Sequence, residues 1–122
     1  MPHPRQVLGD RGEAIAERFL VGRGYQILGR KYRCREGEID LVCRDGTDLA
    51  FVEVKTRRGT AFGAPEEAVT RAKLAHLAQA SQRYLAAHAL EEAPWRIDVV
   101  AIEMDPRGRV DAVRLLVNVG DW

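Results

Sequence analysis

The sequence predicts a mixed α/β domain, a central sheet with its faces covered by two helices. Three observations point to it. Apolar residues recur at helical spacing in two separated stretches, five short runs read as strands, and the order along the chain is helix, strands, helix, strands. A chain of 122 residues is expected to form one domain over 1–122, large enough to bury a core without metal or disulfide staples.

The first helical stretch is "GDRGEAIAERFLVGRGY". Ala14, Ile15, Phe19 and Leu20 recur at helical spacing, Asp10 caps the start, and Gly22 and Gly24 stop the helix, which gives a helix from about Arg11 to Val21. "YQIL" follows as a short strand. The basic loop "RKYRCR", Arg30 to Arg35, leads into two strands, about Glu38 to Arg44 and Leu49 to Thr56, around "RDGTD". After "RRGTAFGAP" a second helical face carries Val69, Leu77, Ala80 and Tyr84, with Leu74, Ala78 and Leu85 beside it. Pro65 suits a first turn and Thr70 a cap, so one long helix and a short turn followed by a helix both fit. "WRIDVVAIEM" is rich in β-branched residues and reads as a strand, and "DPRGR" turns the chain into a last strand, about Val110 to Val117.

Composition excludes several classes. Hydrophobic residues make up 46% and charged residues 30%, with no repeat and no low-complexity tract. "MPHPRQVLGD" lacks the apolar core of a secretory signal, and no stretch approaches the roughly 20 apolar residues that span a bilayer, so a cytoplasmic protein is expected. Cys34 and Cys43, in the loop and a strand, have no C-x-x-C spacing; reduced thiols are expected and a zinc site is not. Net charge is only +1, but positive residues cluster: four of six in "RKYRCR" and three of four in "KTRR". Such runs are more often solvated surface than phosphate contacts.

The chemistry is concentrated in "GEIDLVCRDGTDLAFVEVKTR". Side chains alternate along a strand, which puts Glu38, Asp40 and Val42 on one face and Ile39, Leu41 and Cys43 on the other; Phe51, Glu53 and Lys55 share a face in the next strand, and Val52 and Val54 the opposite one. A Gly46-Thr47 turn of type II′ sets Asp40 across from Glu53 and Glu38 across from Lys55. An Asp45-Gly46 turn of type I′ sets Glu38 across from Glu53. Either register opposes two carboxylates, which destabilises by up to about 1 kcal/mol when exposed and more when buried. A shared proton, the Lys55 ammonium or a bound cation must compensate. Clustered carboxylate oxygens are the hard ligands of Mg²⁺ or Mn²⁺. Lys55 stands where an ammonium can orient an attacking water or stabilise charge on phosphate, so the D-x12-E-x-K grouping of Asp40, Glu53 and Lys55 suits metal-assisted phosphodiester hydrolysis. E-x-K by itself is commonplace on a solvent-facing strand.

"GEIDLV", "FVEVKTR", "FGAPEEAV", Lys73 and "WRIDVV", taken in order, resemble the YraN family of small bacterial proteins. That family is similar to archaeal Holliday-junction resolvases and to the restriction-endonuclease-like group marked by D…(D/E)-x-K. The resemblance implies a restriction-endonuclease-like mixed sheet flanked by helices, Asp40 and Glu53 as metal-binding acids, Lys55 as the catalytic lysine, and the Val54 carbonyl as a further ligand. It matches Glu13 to an acid that completes the site in the resolvase-like branch, although Asp10-x-x-Glu13 also has capping-box spacing. Glu38 either lines the site or offsets Lys55. Lys73 corresponds to a position near phosphate. Ile39 replaces the Pro of the group's motif, and Lys31 stands where relatives commonly carry Asn. Asp98 is expected to pair with Arg96 or an arginine of the basic loop, and His3, His76 and His88 to be packed or solvated, His76 on the apolar side of its helix.

The leading expectation is a Mg²⁺- or Mn²⁺-dependent endonuclease acting on DNA, including branched DNA, with Arg30, Lys31, Arg33, Arg35, Arg57, Arg58 and Lys73 contacting phosphates. Two-fold junctions suit a homodimer. The alternatives are a binding module on the same fold without turnover, and a purely structural cluster of acids and lysines.

Overall fold

The structure is a computed structural model that describes residues 3–59, 61 and 63–120. Its elements are helix α1 (Pro4–Gly22), strands β1 (Gln26–Cys34), β2 (Gly37–Asp45) and β3 (Asp48–Arg58), helix α2 (Arg71–Ala87), and strands β4 (Trp95–Met104) and β5 (Val110–Leu116). A 3-10 turn, Pro65–Ala68, precedes α2, and Thr70 caps that helix by accepting a hydrogen bond from the Lys73 N–H at 3.1 Å. The sheet has strand order β1-β2-β3-β4-β5, antiparallel except for the parallel β3–β4 pair, across which α2 makes the crossover.

Each helix covers one face. Ala16 and Leu20 of α1 pack on Leu41, Cys43, Val52, Val54, Val100 and Ile102, whereas Leu77, Ala80, Tyr84 and Leu85 of α2 pack on Val42, Leu49, Phe51 and Ile97. Gly12 brings α1 close to β3: a Cβ there would lie 2.0 Å from Thr56 Oγ1. The mixed α/β expectation holds, and β4 spans the ten residues of "WRIDVVAIEM". Among the described residues no helix is long and apolar enough to cross a membrane.

Several local expectations are corrected. Helix α1 begins at Pro4, not near Arg11. His3 is its N-cap, with Nδ1 accepting from the Arg5 N–H at 3.1 Å, and proline at the first position needs no N–H partner. Asp10 therefore lies inside the helix and caps nothing, which removes the capping-box reading of Glu13. Ala14 is exposed, the buried stripe being Gly12, Ala16 and Leu20. The basic "loop" from Arg30 is the second half of β1, a nine-residue edge strand that also contains Cys34. His76 is exposed; His88 stacks on Tyr84 with ring centroids 3.9 Å apart.

Candidate active site

The β2–β3 hairpin takes the register of a Gly46-Thr47 turn. Leu41 pairs with Val52 and Asp45 with Asp48, and Gly46 has φ 62°, as the first central position of a type II′ turn requires. The ladder ends at Leu41 and Val52, so the next facing residues, Asp40 and Glu53, meet through their side chains. There the alternation of β2 slips by one residue. Leu41 faces α1, but Ile39 joins Val42 and Phe51 under α2, contrary to the regular alternation expected. The neighbouring strand is bent at the same level: Lys31, between the pairs Arg30–Leu41 and Tyr32–Ile39, is left-handed at φ 50°. Asparagine tolerates that conformation better than lysine does.

This split parts β2 from β3 beyond Leu41. Asp40 Oδ2 accepts the Val54 N–H at 2.8 Å, taking the place of a ladder carbonyl. Glu53, on the central strand, is 3% exposed, and its Oε2 is buried without a hydrogen-bond partner. The nearest cation found, Lys73 Nζ from α2, is 3.6 Å away, close enough for an ion pair but too long for a hydrogen bond. Asp40, Glu53, Val54 and Lys55 line one open cleft of about 720 Å³ with Glu13 of α1.

The electrostatics follow from this crowding. Burial, then the charge of Asp40 and a hydrogen bond with it, pushes the Glu53 carboxyl up to about 8, against smaller opposing effects of Lys73 and Lys55. Burial also raises Asp40, opposed by the Val54 N–H and by Glu53. Glu13 is raised by burial and by Asp40, partly offset by Lys31. Without a cation, burial and the charge of Asp40 favour the protonated form of the Glu53 carboxyl.

The residues fit a hard divalent cation in one respect and limit it in another. Asp40 and Glu53 offer carboxylate oxygens around an orphaned buried acceptor, which is what Mg²⁺ takes when it keeps several waters. Among the described residues no three acidic, histidine or cysteine side chains converge as a ready-made cage, so Glu13 stands beside the pair rather than closing it. Lys31 holds Glu13 at 3.7 Å and Asp10 at 3.0 Å.

The remaining expected residues divide. Arg57 and Arg58 line the cleft, but Arg30, Lys31 and Arg33 are paired with acids and Arg35 is exposed on the far edge. Glu38 pairs with Arg33 at 3.0 Å, not with Lys55. Asp98, fully buried, accepts from Arg96, from Tyr25 Oη at 2.7 Å and from the Asn118 N–H at 2.9 Å, which makes it a structural acid as expected. Arg5 also lines the cleft; sequence reasoning missed it because the residues before Asp10 were not assigned to a helix.

Residues 12–102 match the model of the family described as Uncharacterised protein family UPF0102. The chain belongs to this family. It is the YraN family that the ordered motifs resemble. The UPF0102 protein of Roseiflexus castenholzii is 53% identical over 106 residues, 86% of each chain. That of Symbiobacterium thermophilum is 50% identical over 111 residues, 91% of this chain and 93% of its own. A more distant UPF0102 relative, from Dehalococcoides mccartyi, is 40% identical over 93% of this chain and 95% of its own. The matched span takes in Glu13, Asp40, Glu53, Lys55 and Lys73, while Arg5 and β5 lie outside it.

Proposed function

We propose that this UPF0102 chain is a restriction-endonuclease-like, Mg²⁺- or Mn²⁺-dependent nuclease that hydrolyses DNA phosphodiesters, with branched DNA the substrate class of first choice. The observation that carries the reading is the orphaned Glu53 Oε2 beside Asp40, where the ladder parts and two lysines flank the pair. A fold stabilised by this arrangement alone would gain by replacing one acid, because opposed buried carboxylates are unfavourable without a compensating cation.

Hydrolysis adds a water oxygen to phosphorus and breaks the bond to the sugar oxygen, which leaves with a proton. A bound Mg²⁺ or Mn²⁺ polarises the phosphate and acidifies water. Asp40 and Glu53 would hold the cation, and the resemblance adds the Val54 carbonyl and Glu13, which line the same cleft, as further oxygens. Lys55, two residues beyond Glu53 on the same face, orients the attacking water and steadies charge on the phosphate. Lys73, 3.6 Å from Glu53 Oε2, would offer its ammonium to a phosphate oxygen beside the pair.

The test is incubation with end-labelled single-stranded, duplex, flapped and four-way-junction DNA, in Mg²⁺, Mn²⁺ or chelator, beside Asp40→Asn and Lys55→Ala. Metal-dependent cleavage that disappears in both variants is expected. A wild-type protein that leaves every substrate intact would refute the proposal and favour a binding module.

A further inference from the structure

The basic side chains fall into two sets. On β1 their charge is answered within the protein: Arg30 Nε donates to Glu17 at 3.0 Å, Lys31 pairs with Asp10, and Arg33 pairs with Glu38. At the other side of the cleft, Arg5, Arg57 and Arg58 line the wall next to Lys55, and no carboxylate pairs with any of them among the described residues. Arg11 approaches from α1, donating through Nη1 to the Gly108 carbonyl at 2.6 Å. Arg58 reaches the same glycine: a Cβ at position 108 would meet Arg58 Nη2 at 3.0 Å and Arg11 Nη1 at 3.2 Å.

An exposed arginine is ordinarily solvated, and one alone would carry no inference. Here Arg5, Arg57 and Arg58 open onto one cleft, and Arg58 meets a further guanidinium, that of Arg11, at the buried Gly108. Among the described residues this concentration of like charge is offset by no carboxylate. It is relieved by an anion that lies across them, and the planar donor fork of arginine suits phosphate oxygens.

We propose that Arg5 and Arg58, with Arg57 on the inner wall, form a track for successive backbone phosphates of the nucleic-acid strand as it leaves the Asp40–Glu53 pocket, Arg11 bracing its outer end at Gly108. The inference rests on the nuclease reading and adds to it the path of the strand, from Lys73 on the α2 side, over the end of β3, to the α1 side. Arg5 is a contact that the phosphate-binding set expected from sequence, Arg30, Lys31, Arg33, Arg35, Arg57, Arg58 and Lys73, does not contain, and the paired residues of β1 lie off this path.

The experiment is fluorescence anisotropy with a labelled four-way junction in chelator, across a salt series, for wild type, Arg5→Ala, Arg58→Ala, their double variant, and Arg30→Ala/Arg33→Ala. Each lost phosphate contact lowers the slope of log affinity against log salt by about 1, so the double variant should lose about 2 and bind more weakly at every salt concentration. The β1 variant should keep the wild-type slope. Melting curves of all five proteins check that binding, not folding, has changed. An unchanged slope in the double variant, a loss confined to the β1 variant, or absence of wild-type binding would overturn the track. Because cleavage is read separately in metal, a failed track with metal-dependent cleavage intact leaves the nuclease reading standing.

Discussion

Glu53→Gln isolates what the opposed acids contribute. The folded carboxyl, pushed up to about 8 from an ordinary 4.5, holds its proton more tightly than the unfolded chain does. Stability from this group is therefore fully present below about pH 4.5 and is lost as pH rises toward 8. At about 1.4 kcal/mol per pH unit, the interval is worth about 5 kcal/mol. The amide keeps a donor for Asp40 but must bury its own polar group, an opposing cost of about 1 to 3 kcal/mol. The variant should thus match or trail wild type near pH 4.5 and exceed it by about 2 kcal/mol or more at pH 9, roughly 6–10 °C in Tm for a chain of this size. Urea or thermal unfolding at half-unit steps from pH 4.5 to 9, in chelator, measures the difference. Parallel loss of stability in the two proteins across that range would refute the account of a Glu53 carboxyl protonated beside Asp40.

Three further outcomes follow from the geometry. Millimolar Mn²⁺ should raise the wild-type Tm at pH 8 and leave Asp40→Asn unmoved, as scanning fluorimetry would read; equal shifts would point to binding elsewhere. Arg96→Leu should destabilise by about 3–5 kcal/mol in denaturant titrations, since it leaves the fully buried Asp98 without its cation, along with Asp45 and Asp48 at 2.7 and 2.9 Å. Gly12→Ala should cost about 1–3 kcal/mol because its methyl group would sit 2.0 Å from Thr56 Oγ1, and the added substitution Thr56→Ala should restore most of that in the same assay.

The parts of the fold that sequence made legible are those where local pattern and burial agree. The β-branched run of β4 is flanked by turn residues and buried almost throughout, so its limits could be read directly. Strand β1 was cut short because its arginines alternate with half-buried residues on an edge, and charge concealed the period of two. The start of α1 was misplaced for another reason: Asp10 offered a cap, yet Pro4 at the first position was the better signal. That two carboxylates would be opposed was legible as parity plus a glycine turn, but both glycine turns fitted, and only the structure selects Asp40 over Glu38 as the partner of Glu53. The slip at Asp40 was not legible, because it depends on a left-handed lysine in a neighbouring strand, and nothing in local propensity selects that. Lys73 is brought to Glu53 by the crossover, a tertiary event that spacing alone does not encode.

That crossover has a consequence in time as well as in space. The β2–β3 hairpin joins residues close in sequence and can form early, whereas the parallel β3–β4 pair waits for the chain from Gly59 to Pro94 to close around α2. On that order Asp40 and Glu53 would come together before Lys73 reaches them and before β4 fixes the strand that carries Lys55. A chain still folding, or emerging from a ribosome, would carry the acids without their full complement of cations. Completion of the acid and lysine cluster would then coincide with completion of the sheet, one closure serving both.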